Sequence, residues 1–504
     1  MKLKFLFLFS VIFVSSLYSQ VTQKREFRGV WVHVVGDTRY NNMSTYQQIE
    51  FLTDLLNKLQ EMNFNAVIFQ VRPAADALYP STLEPWSRYL TGKQGVAPEP
   101  YFDPMLFMIE ECHKRNMEFH AWVNPYRVTL GNNDVLDKSH IYHKYPDRFI
   151  KYGDKIFFDP GIPQNREFIC DVVRDIVKRY DVDAIHIDDY FYPYPVDGLK
   201  FNDNDSFNRY AERQGFSANQ LHDWRRDNVN LLIEKMNKTI KSEKPWVRFG
   251  VSPFGIYRNK KDTPDDSGSN TKGLQGHSDL FADVKLWVEK GWVDYNIPQV
   301  YWEIGHSAAD YETLVKWWSR NNSWEHLYIG QDVARTIKAS DAQYSNGNQL
   351  TRKMELERKT PAVYGNCFFH AYDLIKNLGG VADSLKNNYQ RYPALIPAYL
   401  HLHNKSPKDV KSLKAEWTAD GYKLKWKRNG NVGKPETAQK FVIYRFQKNE
   451  KVNLEDASKI IRITGNTEYL LPYKTGQQEY IYVVTTVDRF HNESPKGKTK
   501  KVKL

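Results

Sequence analysis

Residues 184–195 read Ala184-Ile185-His186-Ile187-Asp188-Asp189-Tyr190-Phe191-Tyr192-Pro193-Tyr194-Pro195. The first four form a short, mostly apolar run of the kind a buried parallel strand shows, and where it stops stand two carboxylates followed by aromatic rings and prolines. In barrels and open sheets of parallel strands, chemistry is done at the carboxyl ends of the strands. A strand that stops in Asp-Asp-Tyr therefore predicts an active-site edge. Side chains alternate along a strand, so His186 and Asp188 share one side and Ile185 and Ile187 the other. The polar side belongs to a barrel interior near its mouth. Asp189 also fits the duller role of an N-cap for whatever helix follows.

Seven further apolar runs lie on either side of this one, at 27–35, 66–71, 118–123, 248–251, 295–300, 327–330 and 363–368. A segment of helical periodicity follows each run, and several helices carry start signals. Asp103-Pro104 is an N-cap with proline at the first helical position, opening a helix over 105–116. Ser307 and Asp310 fit a capping box ahead of 311–320. Helical spacing also covers 164–180 and 223–241. Strands alternating with helices make parallel βαβ units, and eight of them predict an α/β fold, a (β/α)8 TIM barrel over residues 21–400. The long connections, at 72–102, 124–162, 189–222 and 252–278, follow strands two to five and lie on the catalytic face. Within the last of them, 260–276 is rich in Asp, Ser, Gly and Asn and reads as a lid.

After Tyr392-Pro393 and Ile396-Pro397 the grammar changes. Period-two strands are expected at 410–417, 421–426, 441–446, 459–464 and 479–488, which predicts a small all-β sandwich over 407–504. Trp426 and the run 480–488 resemble the core tryptophan and penultimate strand of a fibronectin type III domain.

The chain has 504 residues, enough for two or three domains, and 14% of them are Phe, Trp or Tyr. Rings in such number suit flat, amphipathic ligands such as sugars, and they suit thick cores as well. The formal charge of +11 is unevenly placed. From Pro407 onward 21 Lys and Arg stand against 11 Asp and Glu, and Lys2 and Lys4 add two more, which leaves residues 21–406 at −1. A neutral barrel argues against nucleic acid as a partner. The basic excess of the C-terminal module reads first as a solvated surface and second as attraction to an anionic cell-wall or membrane surface. Residues 1–20 combine lysines, an apolar core and a small-residue tail, the pattern of a secretory signal peptide, with no lipid-anchor cysteine. No later run is long enough for a transmembrane segment. The expected location is exported, periplasmic or secreted. Cys112, Cys170 and Cys367 are isolated and lack metal-ligand spacing.

Polar residues gather at the predicted strand ends. Strand six groups Gln299, Tyr301 and Glu303 on one face, which sets Glu303 opposite Asp188 across the mouth. Two carboxylates on opposing strand ends among aromatic platforms are what glycoside hydrolysis requires: one nucleophile or base, one protonated acid. Asp188 and Glu303 are thus the candidate catalytic pair. The candidate substrate-binding residues are Arg72, Asp76, Asn124, Tyr126, Arg127, His186, Asp189, Tyr190, Tyr257, Gln299, Tyr301 and Trp302. Competing readings remain for several of them: His186 as a layer-filling histidine, Arg127 as the partner that neutralises Asp188, and Glu303 as a loop cap. No metal and no cofactor is expected. A non-catalytic carbohydrate-binding barrel stands as an alternative. So does a metal-dependent hydrolase, for which His33, His186, Asp188 and His370 would have to converge.

Six ordered motifs carry a family resemblance: Phe27-Arg-Gly-Val-Trp-Val32; Asn65-Ala-Val-Ile-Phe-Gln-Val-Arg-Pro73 with Asp76-Ala-Leu-Tyr79; Ala121-Trp-Val-Asn-Pro-Tyr-Arg127; Ile187-Asp-Asp-Tyr-Phe-Tyr-Pro193; Gly250-Val-Ser-Pro-Phe-Gly255; and Pro298-Gln-Val-Tyr-Trp302. Over residues 25–400 the chain resembles the glycosyl hydrolase-like 10 family. The resemblance implies a TIM barrel, export to the bacterial envelope and hydrolysis of glycan strands, with peptidoglycan glycan lacking stem peptides as one substrate. It also implies a nucleophilic carboxylate at Asp188 and an acid/base carboxylate at Glu303, with Asp76, Asn124 and Arg127 binding substrate.

Overall fold

The computed structural model describes residues 23–265, 267–322, 326–343 and 347–504. The expected signal peptide at 1–20 lies outside the described residues. Eight parallel strands close a barrel: β1 (Phe27–Val32), β2 (Ala66–Arg72), β3 (Glu118–Val123), β6 (Ala184–Ile187), β7 (Arg248–Val251), β8 (Tyr295–Asn296), β9 (His326–Asp332) and β10 (Val363–Phe369). Between β3 and β6 the long connection carries a hairpin, β4 (Phe149–Tyr152) with β5 (Lys155–Phe158).

Helices cover the outside, where the aliphatic residues of the strands meet them, as with Val67, Phe69, Ile185 and Ile187. The alternate residues turn inward and build a ring-rich interior of Phe27, Trp31, Trp122, Tyr295 and Tyr328. Phe27 stacks on Tyr328 with centroids 4.0 Å apart. Asp103 caps the helix Pro104–Lys114 by accepting from the Leu106 N–H.

Local signals failed at two places. Strand six was expected to run to Val300, yet β8 ends at Asn296, because Pro298 has no N–H to donate to a neighbour. The bonds to the neighbouring segment continue on either side of Pro298, from the Ile297 N–H to the Val251 carbonyl at 2.8 Å and from the Gln299 N–H to the Pro253 carbonyl at 2.9 Å. Ahead of the helix Tyr311–Arg320 the cap is Asp310 itself, accepting from the Thr313 N–H, in place of a box opened by Ser307. Within 260–276, expected as a lid, the described residues include fixed contacts: the Ser269 N–H bonds the Arg258 carbonyl at 2.9 Å, and Ser269 and Thr271 are buried.

The C-terminal part forms two antiparallel sheets. One holds β11 (Ser412–Thr418), β12 (Gly421–Lys427) and β15 (Glu468–Leu470); the other holds β13 (Lys440–Gln447), β14 (Ile460–Thr464), β16 (Glu479–Val487) and β17 (Lys498–Lys503). Sequence reasoning missed β15 and β17. The first is three residues long, and in the second only Val502 is buried, so neither shows an apolar alternation.

These sheets sit under the amino ends of the barrel strands. His491, in the turn after β16, brings its Nε2 to 2.7 Å from Glu118 Oε1 at the start of β3 and 2.9 Å from Arg248 Nη1 at the start of β7. All three side chains are buried. Around them Arg489 pairs with Asp181 at 2.7 Å, and Lys24 and Arg25 reach Glu493.

Candidate active site

At the carboxyl ends of the strands a cavity of about 240 Å³ opens. Trp31, His33 and Val35 line it from the first strand and its loop, Gln70 from β2, Trp122 and Arg127 from β3 and its loop, and Asp188, Asp189, Tyr190 and Tyr194 from the segment after β6. Ser252, Gln299, Tyr301 and Phe369 complete the wall. The chain leaves strand geometry at Asp188, so two consecutive carboxyls face one space where a continuing strand would have sent them to opposite faces.

Asp188 is held from the third strand. The Trp122 indole N–H donates to Oδ2 at 3.0 Å, and Asn124 Nδ2 donates to the two carboxylate oxygens at 3.1 and 3.2 Å. Burial raises its pKa, while the charge of Arg127 and these donors oppose the rise and favour the anion. Arg127 is itself fixed, donating from Nε to the Pro73 carbonyl at 3.0 Å and lying 4.9 Å from the Tyr190 ring centroid.

Asp189 has the opposite surroundings. Burial, and then the charge of Asp188 beside it, push its pKa up to about 7, against hydrogen bonds from the Tyr194 hydroxyl and from Gln299. Asp188 is thus the first of the two to ionise, and its charge then holds the proton on its neighbour, a division of labour set by environment.

Beneath the pair, His186 is fully buried, and burial holds its pKa well below the ordinary range, so the ring is neutral. The Trp31 indole N–H donates to its Nε2 at 3.3 Å, which leaves Nδ1–H to donate to the Tyr295 hydroxyl at 3.1 Å. Ser252 Oγ lies 2.9 Å from the same Nε2. His186 therefore fixes the floor and does not line the cavity. The wall opposite is aromatic: Tyr301 stacks on Phe369 at 5.6 Å and meets the edge of Trp31 at 6.5 Å. Beyond the 190–195 segment lies a wider groove of about 640 Å³. Tyr192, Pro193 and Pro195 line it, while Tyr190 and Tyr194 face the cavity.

Of the expected site residues, Asp188, Arg127, Asp189, Tyr190, Gln299 and Tyr301 come together in this cavity. Glu303 does not line it. Past Tyr301 the chain turns, with the His306 and Tyr311 N–H groups bonding the Glu303 carbonyl, and Lys353 Nζ takes the Trp302 carbonyl at 2.8 Å. Burial lowers the Lys353 pKa to about 8, and Glu303 is one of the acids whose charge opposes that fall. The period of two holds past Pro298 through Gln299 and Tyr301, which both line the cavity, and ends at the turn that follows, before Glu303.

Arg72 is saturated by Glu84, at 2.8 Å, and by the Asn124 and Pro125 carbonyls. Asp76 is buried against Gln94, and Tyr126 is buried against the helix layer. Tyr257 donates to Asp283 at 2.7 Å, and Trp302 packs edge-on to Phe254. Asn124 acts through Asp188. The cavity residues outside the expected set are Trp31, His33, Val35, Gln70, Trp122, Tyr194, Ser252 and Phe369, and all but Tyr194 lie in a barrel strand or within three residues of its end. The alternation that singled out His186 and Asp188 would have found most of them.

Among the described residues no three His, Cys, Asp or Glu side chains gather as a metal site, and no helix is long and apolar enough to cross a membrane. Cys112, Cys170 and Cys367 are free and buried.

Residues 26–346 match the model of the family described as Glycosyl hydrolase-like 10. The chain is 40% identical over 500 residues to "Glycosyl hydrolase YngK" of Bacillus subtilis (strain 168), covering 98% of this chain and 96% of that protein. It is 37% identical over 369 residues to "Glycosyl hydrolase DigH" of Escherichia coli (strain K12), covering 68% and 82%. Among solved structures, the PgaB (BpsB) glycoside hydrolase domain from Bordetella bronchiseptica aligns with a TM-score of 0.48 and 13% identity, over 72% of this chain and 99% of that one.

Proposed function

This chain belongs to the glycosyl hydrolase-like 10 family, and we propose that its barrel hydrolyses glycan strands, with peptide-free peptidoglycan strands as the substrate to try first. The observation that carries the reading is the unequal pair Asp188 and Asp189 at one strand end, inside an aromatic-walled cavity. Asp189, protonated below about pH 7, gives its proton to the leaving glycosidic oxygen. Asp188, anionic and oriented by Trp122 and Asn124, faces the anomeric carbon as positive charge develops there, as nucleophile or as stabilising anion. Tyr301, Phe369 and Trp31 offer ring faces to a sugar, and the adjoining groove gives room for further units of a chain.

The sandwich reads as fibronectin type III-like, three strands facing four around Trp426, and its basic surface fits a wall-facing role in an exported protein. The test is the Asp188→Asn protein on peptide-free strands. Binding should persist, because the amide keeps the shape, while release of new reducing ends stops. Full turnover by Asp188→Asn would reject the assignment. Binding without turnover by the unmodified protein across a broad glycan panel would make the barrel a carbohydrate-binding module.

A further inference from the structure

The sandwich core ends in an aromatic cluster that is partly open to solvent, with Tyr422 packed against the core and two further rings beyond it. Trp417, at the end of β11, is 63% exposed; Tyr473, after β15, is 42% exposed. The Trp417 indole stacks on Tyr422 with centroids 5.0 Å apart and 28° between planes, and Tyr473 meets it edge-on at 4.9 Å. With one face against Tyr422, the indole leaves the other to solvent. Exposed large rings clustered on a small domain mark a binding surface more often than chance exposure does.

The cluster lies at the pole of the sandwich away from the barrel. Arg489, His491, Glu493 and Lys440 are among the residues that reach the barrel, at the Val487 end of β16, and the Thr486 hydroxyl bonds the Lys408 carbonyl just ahead of the Ser412 end of β11. Trp417 and Tyr422 stand at the other end of β11 and its partner β12, where the Leu471 N–H bonds the Tyr422 carbonyl.

Cations stand on the two faces of a strand that runs toward the same pole, Lys498 and Lys500 on one and Lys501 and Lys503 on the other. β17 lies beside β11, and its Lys498, Lys500, Lys501 and Lys503 are exposed and make no ion pair among the described residues. Lysines on an edge strand discourage pairing with other sheets. That role explains their type, and it leaves unexplained the open indole at the same pole.

We propose that Trp417, Tyr422 and Tyr473, with the β17 lysines, form a binding site for an acidic polysaccharide. A sugar ring would lie on the open indole face, and carboxylates along the chain would meet the lysines. Flat rings suit the apolar faces of pyranoses, and the unpaired cations supply the matching charge. The site is remote from the barrel cavity and holds whichever bond the cavity cleaves.

The test uses the full chain in affinity electrophoresis through gels containing hyaluronan, a carboxylated amino-sugar polymer, with N-acetylchitohexaose as the neutral competitor. Retardation at low salt should weaken roughly tenfold in Trp417→Ala, the loss of one stacked ring. It should also weaken in Lys500→Glu/Lys501→Glu, whose exposed positions leave folding intact, and in the unmodified protein at about 0.5 M salt. Melting temperatures and turnover of short soluble substrates should not change. Retardation unaffected by either variant would overturn the site. So would loss in Trp417→Ala of capture by phosphatidylglycerol vesicles with hyaluronan retardation unchanged, which would make the surface a membrane contact.

Discussion

The Trp122 indole N–H reaches across from β3 to donate to Asp188 at 3.0 Å, beside the two bonds from Asn124 just past the strand end. A donor to the charged form lowers a carboxyl pKa and stabilises the anion when a cation develops nearby. Trp122→Phe keeps the ring and deletes the donor. It should lower kcat about tenfold with little change in KM, and move the acidic limb of the pH–rate profile upward. An unchanged profile would mean that Asp188 does not act as the anion.

Asp189 should govern the basic limb. Its pKa, raised to about 7 by burial and by the Asp188 charge, means that the acid form is lost as pH rises through 7. Asp189→Asn should remove that limb and cost roughly 10²- to 10⁴-fold in kcat for substrates with poor leaving groups. Substrates with good leaving groups, such as aryl glycosides, should lose much less.

The same shift has a thermodynamic face. A carboxyl whose pKa is higher folded than unfolded keeps its proton in the native state while the unfolded chain releases it, so stability falls as pH rises from about 4 to about 7 and is level beyond. Asp189→Asn should therefore match the unmodified protein near pH 4 and exceed it by roughly 1–3 kcal/mol at pH 8. Denaturant melts at the two pH values decide this, and equal differences at both would refute the shift.

Glu303 provides the contrast. Outside the cavity and near Lys353, it should tolerate Glu303→Gln with kcat within about threefold of the unmodified value. A loss of a hundredfold or more would return the acid role to it.

The sequence carried the fold because each barrel strand is a short apolar run bounded by turn residues, and β3, β6 and β7 begin and end where that reading put them. It carried Asp188 for the same reason: period two held to the end of β6. It set Glu303 in the cavity, where the chain does not bring it, because the alternation that holds through Gln299 and Tyr301 ends at the turn after them. It hid Trp31 and Trp122 among residues that looked like core, since an inward tryptophan near the barrel mouth reads the same in sequence whether it touches side chains or solvent. The distal strands of the sandwich were illegible where lysine replaced the apolar alternate, as in β17.

His491 offers a separate test of how the two parts hold together. Replacing it by alanine leaves Glu118 and Arg248 with one fewer buried polar neighbour, at a cost of about 1–3 kcal/mol. The melting temperature should fall while KM on short substrates stays the same, because the change lies at the end of the barrel away from the cavity.

That contact also sets an order of events. Glu118 and Arg248 belong to strands completed in the first half of the chain, yet the side chain that closes over them is made only thirteen residues before the last. Arg248 and Glu118 already pair with one another at 2.5 Å, so the barrel floor gains from His491 its last buried polar contact, made more than 240 positions after Arg248. That contact is therefore a signature of the finished chain, added to an ion pair the barrel makes by itself.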